Sequence, residues 1–107
     1  MADTTEPGSA TVVNNERAGR FEMHLDGHSA ILAYRVLQAS IFFDHTVVPP
    51  AIEGRGVANK LTQTALEFAR SKHLRVVPIC SFVASYIAKH AEYHDLLAPS
   101  ILKHLLG

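Results

Sequence analysis

The sequence predicts an α+β fold: a mixed sheet that begins as an antiparallel meander and ends in a βαβ crossover, with helices packed on the sheet. Three observations predict it. Strand-patterned segments follow one another closely from Thr11 to Val48, separated only by turn residues. From Val57 the apolar residues change to the period of an amphipathic helix. A short apolar run, Leu74 to Ile79, follows that helix at once. Two strands joined through one helix pair in parallel, with a right-handed connection.

Each element has its own signal. Thr11 to Asn14 reads as a short edge strand. Phe21, Met23 and Leu25 alternate with Arg20, Glu22 and His24, the pattern of a half-buried strand. Asp26-Gly27 then makes a tight hairpin turn. His28 to Leu37 is apolar at nearly every position except Arg35, which predicts a more deeply buried strand. Gln38-Ala39-Ser40 turns the chain into Ile41 to Val48, and Pro49-Pro50 ends that strand because proline donates no ladder hydrogen bond.

The second half is helical and strand-like by turns. Val57, Ala58, Leu61, Ala65, Leu66, Phe68 and Ala69 form the apolar side of a helix, and Asn59, Lys60, Gln63, Glu67 and Arg70 its wet side. That helix is expected to end near Lys72, with His73 in a left-handed cap. Pro78 implies that the Leu74 to Ile79 strand loses pairing toward its end. A second helix is expected from Ser81 to His90 with Phe82, Val83, Tyr86 and Ile87 inward, then a short helix and tail beyond Tyr93.

The whole chain narrows the function classes. At 107 residues it has room for one modest core. Met1 to Ala10 is polar, acidic and contains Pro and Gly, so it reads as a disordered leader, leaving 11–107 as a single domain. Ten basic residues balance ten acidic ones, and no basic face recommends a nucleic-acid or membrane partner. Apolar runs are too short to span a bilayer. The one cysteine, Cys80, forms no internal disulfide and fits a reducing compartment, so the expected location is cytoplasmic.

The densest chemical information lies in Val47-Val-Pro-Pro-Ala-Ile-Glu-Gly-Arg-Gly-Val-Ala-Asn-Lys-Leu61. Strand, glycine turn and helix start together make a site at which main-chain amides meet a phosphate. A P-loop is excluded because Lys60 follows Asn59 and precedes Leu61. A dinucleotide fingerprint is a poor match because Asn59 stands where its third glycine belongs.

A third pattern fits better. Glu53-Gly-Arg-Gly-Val-Ala58 resembles the pyrophosphate-binding motif of the GNAT superfamily of N-acetyltransferases, Gln/Arg-x-x-Gly-x-Gly/Ala. Gly56 and Ala58 match, and Glu53 departs at the first position. His45-Thr46, Val48-Pro49, Val76-Val-Pro-Ile-Cys80, Phe82-Val-Ala and Glu92-Tyr93 extend the likeness to the small, single-domain GNAT-like enzymes, from about Asn14 to Leu97. The resemblance implies two parallel strands that splay apart to admit the pantetheine arm of coenzyme A. It places that arm against the backbone of Thr46, Val47 and Val48, and the pyrophosphate against Gly54, Arg55, Gly56, Val57, Ala58 and Asn59. Arg55 would add a charge-assisted contact to phosphate.

Candidates for the chemistry each have a plain alternative. Cys80 sits where a buried strand meets a helix start, which suits either a small core hydrophobe or a reactive sulfur beside the thioester. His45 lies near the end of the pantetheine strand, as a general base, a partner orienting Cys80, or a half-exposed strand histidine. The resemblance also implies a tyrosine acid on the second helix. Tyr86 occupies that region, but its place in the apolar stripe favours a core role. His90 and His94 have the spacing of a helical metal pair, yet no third ligand completes a set; no metal is expected.

These readings combine as an acetyl-CoA-dependent N-acetyltransferase acting on a small-molecule or peptide amine, with acetyl-CoA as cofactor. Only Asn15 to Gly19 and the Asp26-Gly27 turn stand where larger relatives build acceptor helices. The acceptor side is thus open, completed in a homodimer, or absent. The rival readings are a non-enzymatic CoA or acyl-CoA binding module, and an interaction domain using the sheet edge or Phe42 and Phe43.

Overall fold

The computed structural model describes residues 11–107, so the leader expected at 1–10 lies outside the described residues. The chain forms β1 (Val12–Asn15), β2 (Arg20–Leu25), β3 (His28–Leu37), β4 (Ser40–Val47), α1 (Val57–Ser71), β5 (Arg75–Pro78), α2 (Ser81–Lys89) and α3 (Pro99–Leu106). Short 3-10 turns occupy Pro50–Ile52 and Ala91–Leu96. The five strands lie in the sheet in chain order. The first three pairings are antiparallel and β4 with β5 is parallel, the mixed α+β sheet that the sequence predicts.

Local chemistry sets the joints. Leu25 pairs with His28 across Asp26-Gly27, and both turn residues have positive φ, 52° and 78°, as a two-residue hairpin turn requires. Leu37 pairs with Ser40 across Gln38-Ala39. At the end of α1, His73 takes φ 58°. Its amide donates to the Arg70 carbonyl and the Leu74 amide to that of Ala69. This double closure satisfies carbonyls that the last turn would otherwise leave open.

One sheet face holds the core. Phe21, Met23 and Leu25 of β2, Ala30, Leu32 and Tyr34 of β3, Ile41 and Phe43 of β4, and Val76 of β5 are all buried there. From above, α1 brings Val57, Leu61, Ala65, Leu66 and Ala69, and α2 brings Val83 and Ile87. Burying Leu61 and Leu66 contributes about 2 kcal/mol each. Thr62 is buried among them and donates its hydroxyl to the Ala58 carbonyl at 2.8 Å.

The opposite face differs from the sequence expectation. The alternate strand residues Glu22, His24, Ile31, Ala33, Arg35, Phe42 and Val77 include none that is buried, and Leu37 and Val47 are exposed. Helices cover only one side of the sheet among the described residues. β3 is therefore a one-sided strand despite its nearly continuous apolar sequence. Arg35 shields Phe42 there, with its guanidinium 5.0 Å from the ring centre.

Candidate functional site

The strands that should splay do so at a defined point. β4 and β5 pair from Ser40–Arg75 to Phe43–Pro78 and no further. Pro78 carries no amide hydrogen with which to continue the ladder. The final link is the Cys80 amide donating to the Phe43 carbonyl at 2.8 Å. Directly beyond, β4 accommodates an extra residue: Tyr34 pairs with Phe43 but Ala33 with His45, leaving Asp44 as a bulge. Bulges bend a strand and sharpen its twist. Arg35 fixes this one by a two-pronged ion pair to the Asp44 carboxylate, at 2.8 and 2.9 Å. The guanidinium hydrogen bond holds the Asp44 carboxyl below the usual range. From Asp44 onward β4 has no strand partner on its β5 side among the described residues.

The glycine turn follows. Pro50–Ile52 forms a single 3-10 turn that buries Ile52. Gly54 and Gly56 then take φ 77° and 79°, a region that side chains with a Cβ adopt at a cost of about 1–2 kcal/mol. An added Cβ at either would meet nothing within 4 Å. The backbone conformation, rather than crowding, calls for glycine, and the space above both is open. Gly56 is the N-cap of α1, with no side-chain cap and no acidic residue in the first turn. The leading amides of this helix are thus left to an external acceptor, and the helix dipole favours an anion there.

Arg55 is engaged elsewhere. Its Nη1 donates to Asp26 Oδ2 at 2.6 Å, tying the turn to the β2–β3 hairpin. The guanidinium expected at a phosphate is held by a carboxylate instead.

Two adjoining cavities run over these elements. One, of about 320 Å³, is bounded by the glycine turn and the start of α1, with Val48 and Phe82 as its apolar sides. The other, of about 380 Å³, reaches Thr46, Val47 and Val48 and shares Glu53, Ala58 and Phe82 with the first. Of the expected cofactor residues, Thr46, Val47, Val48, Gly54, Gly56, Val57, Ala58 and Asn59 line this groove.

The expected catalytic residues separate. Cys80 is buried, with its sulfur 3.3 Å from the Thr46 hydroxyl, so it stands at the floor of the splay. His45 is exposed, paired with Ala33 of the open face. Successive strand residues point to opposite faces, so Thr46 turns toward Cys80 and His45 away. Orientation of Cys80 by His45 is not the arrangement found. Tyr86 lies further along α2, its ring stacked 3.9 Å from that of His90; burial, and then Glu92 and Glu67, push its phenol up. It does not line the cavity at Thr46. α2 ends at Lys89, so His90 and His94 do not share a helix. Each ring instead meets a main-chain carbonyl, that of Tyr86 at 2.7 Å and of Ile87 at 2.9 Å.

Two groove residues escape the sequence reading. Glu53 brings a carboxylate to both cavities. Phe82, expected inward, is 37% exposed and forms the groove wall. The spacing Phe82, Ser85, Tyr86, Lys89 marks a second face of α2, distinct from the buried Val83 and Ile87, and would have revealed it.

Comparison with known proteins agrees with this geometry. A family model described as GCN5-related N-acetyl-transferase matches residues 20–96. Protein NATD1 of Xenopus tropicalis is 29% identical over 105 residues, covering 92% of this chain and 96% of its own. Protein NATD1 of Gallus gallus is 31% identical, covering 94% of this chain and 89% of its own. The solution NMR structure of a GCN5-like protein from Staphylococcus aureus superimposes with a TM-score of 0.65 at 28% identity, over 82% of this chain and 87% of that one. With a splayed parallel pair, an uncapped helix start and a family match across most of its length, the chain belongs to the GCN5-related N-acetyl-transferase family.

Proposed function

We propose that this protein binds acetyl-CoA in the groove between the splayed strands and α1, and transfers the acetyl group to an amine. The observation that carries the reading is the continuity of unpartnered β4 backbone with the uncapped start of α1. A ligand with an amide-rich arm and a diphosphate would satisfy both. Acetyl-CoA supplies the activated thioester. Main-chain amides of Val47 and Val48 polarise its carbonyl oxygen, and amides from Gly54 to Asn59 hold the diphosphate. Cys80, its sulfur 3.3 Å from the Thr46 hydroxyl, is the thiol beside the splay. In this reading His45, exposed on the open face, accepts the proton of the incoming amine.

Two routes use these groups. Amine nitrogen attacks the thioester carbon directly, the carbon–sulfur bond breaks, and the proton passes by way of His45 to the departing sulfur. Alternatively the Cys80 sulfur attacks the thioester carbon, the carbon–sulfur bond to coenzyme A breaks and the Cys80 proton goes to the departing sulfur; the amine then attacks the acetyl carbon, the Cys80 carbon–sulfur bond breaks, and an amine proton restores the thiol.

Thermal unfolding with acetyl-CoA, with ATP as control, tests the binding step. Ligand at about a hundred times its Kd stabilises the native state by about 2.7 kcal/mol, a rise of roughly 10 °C or more in Tm for a chain this small. A rise with acetyl-CoA alone supports the reading; no rise at millimolar acetyl-CoA sinks it.

The uncovered sheet face favours a second reading, a CoA-binding module without turnover. Between β1 and β2 there are only Glu16 to Gly19, so no helix walls an acceptor site. Binding of acetyl-CoA without turnover across an amine panel selects this reading.

A further inference from the structure

Strict alternation along β4 would give the face beside Cys80 to His45. Phe43 is buried in the core, so in a regular strand His45 would share its face and Thr46 would point away. The Asp44 bulge reverses that assignment, because one extra residue moves every later side chain to the opposite face. Thr46 pairs with Leu32, buried on the helix side of the sheet, and His45 with Ala33 on the bare side. The ion pair of Arg35 with Asp44, which fixes the bulge, therefore selects the side chain that meets the thiol. It is a hydroxyl, not an imidazole.

The surroundings of the sulfur give that hydroxyl a part to play. Cys80 is the N-cap of α2, yet its side chain caps no amide of that helix. Its main-chain amide is given to the Phe43 carbonyl, which anchors the residue where β4 and β5 part. The sulfur and the Thr46 oxygen are hydrogen-bonded at 3.3 Å, and either atom can be the donor. Thr46 also lines the cavity of about 380 Å³ that reaches Val47 and Val48. One residue thus touches both the thiol and the space assigned above to the thioester. A hydroxyl accepts and donates at once.

We propose that Thr46 is a catalytic proton relay for Cys80. The inference rests on the cofactor reading above and on its acetyl-cysteine route. As the Cys80 sulfur attacks the thioester carbon, its proton passes to Thr46 Oγ1. The Thr46 hydroxyl proton passes to the coenzyme A sulfur as the bond from that sulfur to the acetyl carbon breaks. In the second half the amine nitrogen attacks the acetyl carbon and the Cys80 carbon–sulfur bond breaks. An amine proton then returns to the Cys80 sulfur through the same hydroxyl. Thr46 ends each half with the proton count it began with.

Intact-mass kinetics of the full chain and its Thr46→Val and Thr46→Ser variants, mixed with acetyl-CoA and quenched in acid, test it. Coenzyme A affinity is measured by calorimetry on the same samples. Valine keeps the branched shape and the main-chain groups of β4 and removes the hydroxyl, whereas serine keeps the hydroxyl. T46V is expected to gain the acetyl group about a hundred-fold more slowly than the wild type, with its coenzyme A affinity retained. T46S is expected to recover most of the rate. A second measurement needs no variant: two protons in flight make the wild-type acetylation rate fall along a curve as the deuterium fraction of the solvent rises. A straight line, acetylation of T46V at the wild-type rate, or equal slowing in T46S and T46V would overturn the relay and leave the acetyl-cysteine route standing. A wild type that binds coenzyme A but gains no acetyl group would overturn the relay and that route, and leave direct transfer. No binding by the wild type would overturn the cofactor reading as well.

Discussion

Arg55 and Asp26, 29 residues apart in the chain, meet at 2.6 Å and join the glycine turn to the tip of the β2–β3 hairpin. The guanidinium is about one-third exposed and the carboxylate more than half, so the pair is a solvated one of modest strength. Its interest is positional. Any diphosphate at the start of α1 must share or capture the charge that Asp26 already holds.

Asp26→Asn is therefore expected to raise affinity for coenzyme A several-fold, and Arg55→Ala to lower it. Calorimetry at low and physiological salt checks both, and the gain in D26N shrinks as salt screens the charges. A loss of affinity in D26N would mean that the pair instead holds the turn in its binding shape.

Gly56→Ala places a Cβ at φ 79°. The surroundings have room for it, so the expected cost is the conformational one, about 1–2 kcal/mol. Urea unfolding reads the cost, and coenzyme A affinity should fall with it, because the N-cap conformation aims the first amides of α1.

Cys80 separates the two routes to acetyl transfer. If its sulfur carries the acetyl group, the wild type mixed with acetyl-CoA and quenched in acid gains one acetyl by intact mass, and Cys80→Ala gains none. An unlabelled wild type together with full turnover by C80A would establish direct attack by the amine. The substitution is expected to destabilise by about 1 kcal/mol, since the side chain is buried.

Tyr93 is buried and donates its hydroxyl to Glu67 Oε2 at 2.8 Å. Burial, reinforced by that carboxylate, pushes its phenol well up, so it stays neutral through the physiological range. Tyr93→Phe removes the hydrogen bond and keeps the ring, for an expected loss of about 1 kcal/mol in urea unfolding and no change in the groove.

Acid sensitivity is expected at the bulge and at the end of α1. Arg35 lowers the Asp44 carboxyl and Arg70 that of Asp95. A carboxyl lowered on folding adds stability that is fully present above its ordinary value, near pH 4, and is lost as pH falls through its folded value. Melting temperatures should decline below about pH 4, and Asp44→Asn should make that decline shallower.

Much of this was legible in the sequence because the signals are local. The alternation of Phe21, Met23 and Leu25, the Asp26-Gly27 turn, the left-handed His73 and the ladder-ending Pro78 each depend on neighbours within a few residues. The glycine turn was legible for the same reason. What the sequence concealed is tertiary. A strand such as His28 to Leu37 reads apolar on both sides, and only the placement of the helices reveals that one side is bare. Phe82 reads as core because a helical wheel does not say which faces find partners. The Asp44 bulge arises from register with β3, and it sends His45 away from Cys80. The Arg55–Asp26 and Arg70–Asp95 pairs span 29 and 25 residues, beyond any local pattern.

The strand order bears on how the chain assembles. Each strand pairs with the next in sequence, so the meander can zip up hairpin by hairpin with short loops to close, a topology of low contact order that favours rapid folding. Only the β4–β5 joint must wait for an intervening helix. The groove opens at that joint, so a ligand bound there would hold the last-made pairing in place and favour the finished fold over one with the joint unmade.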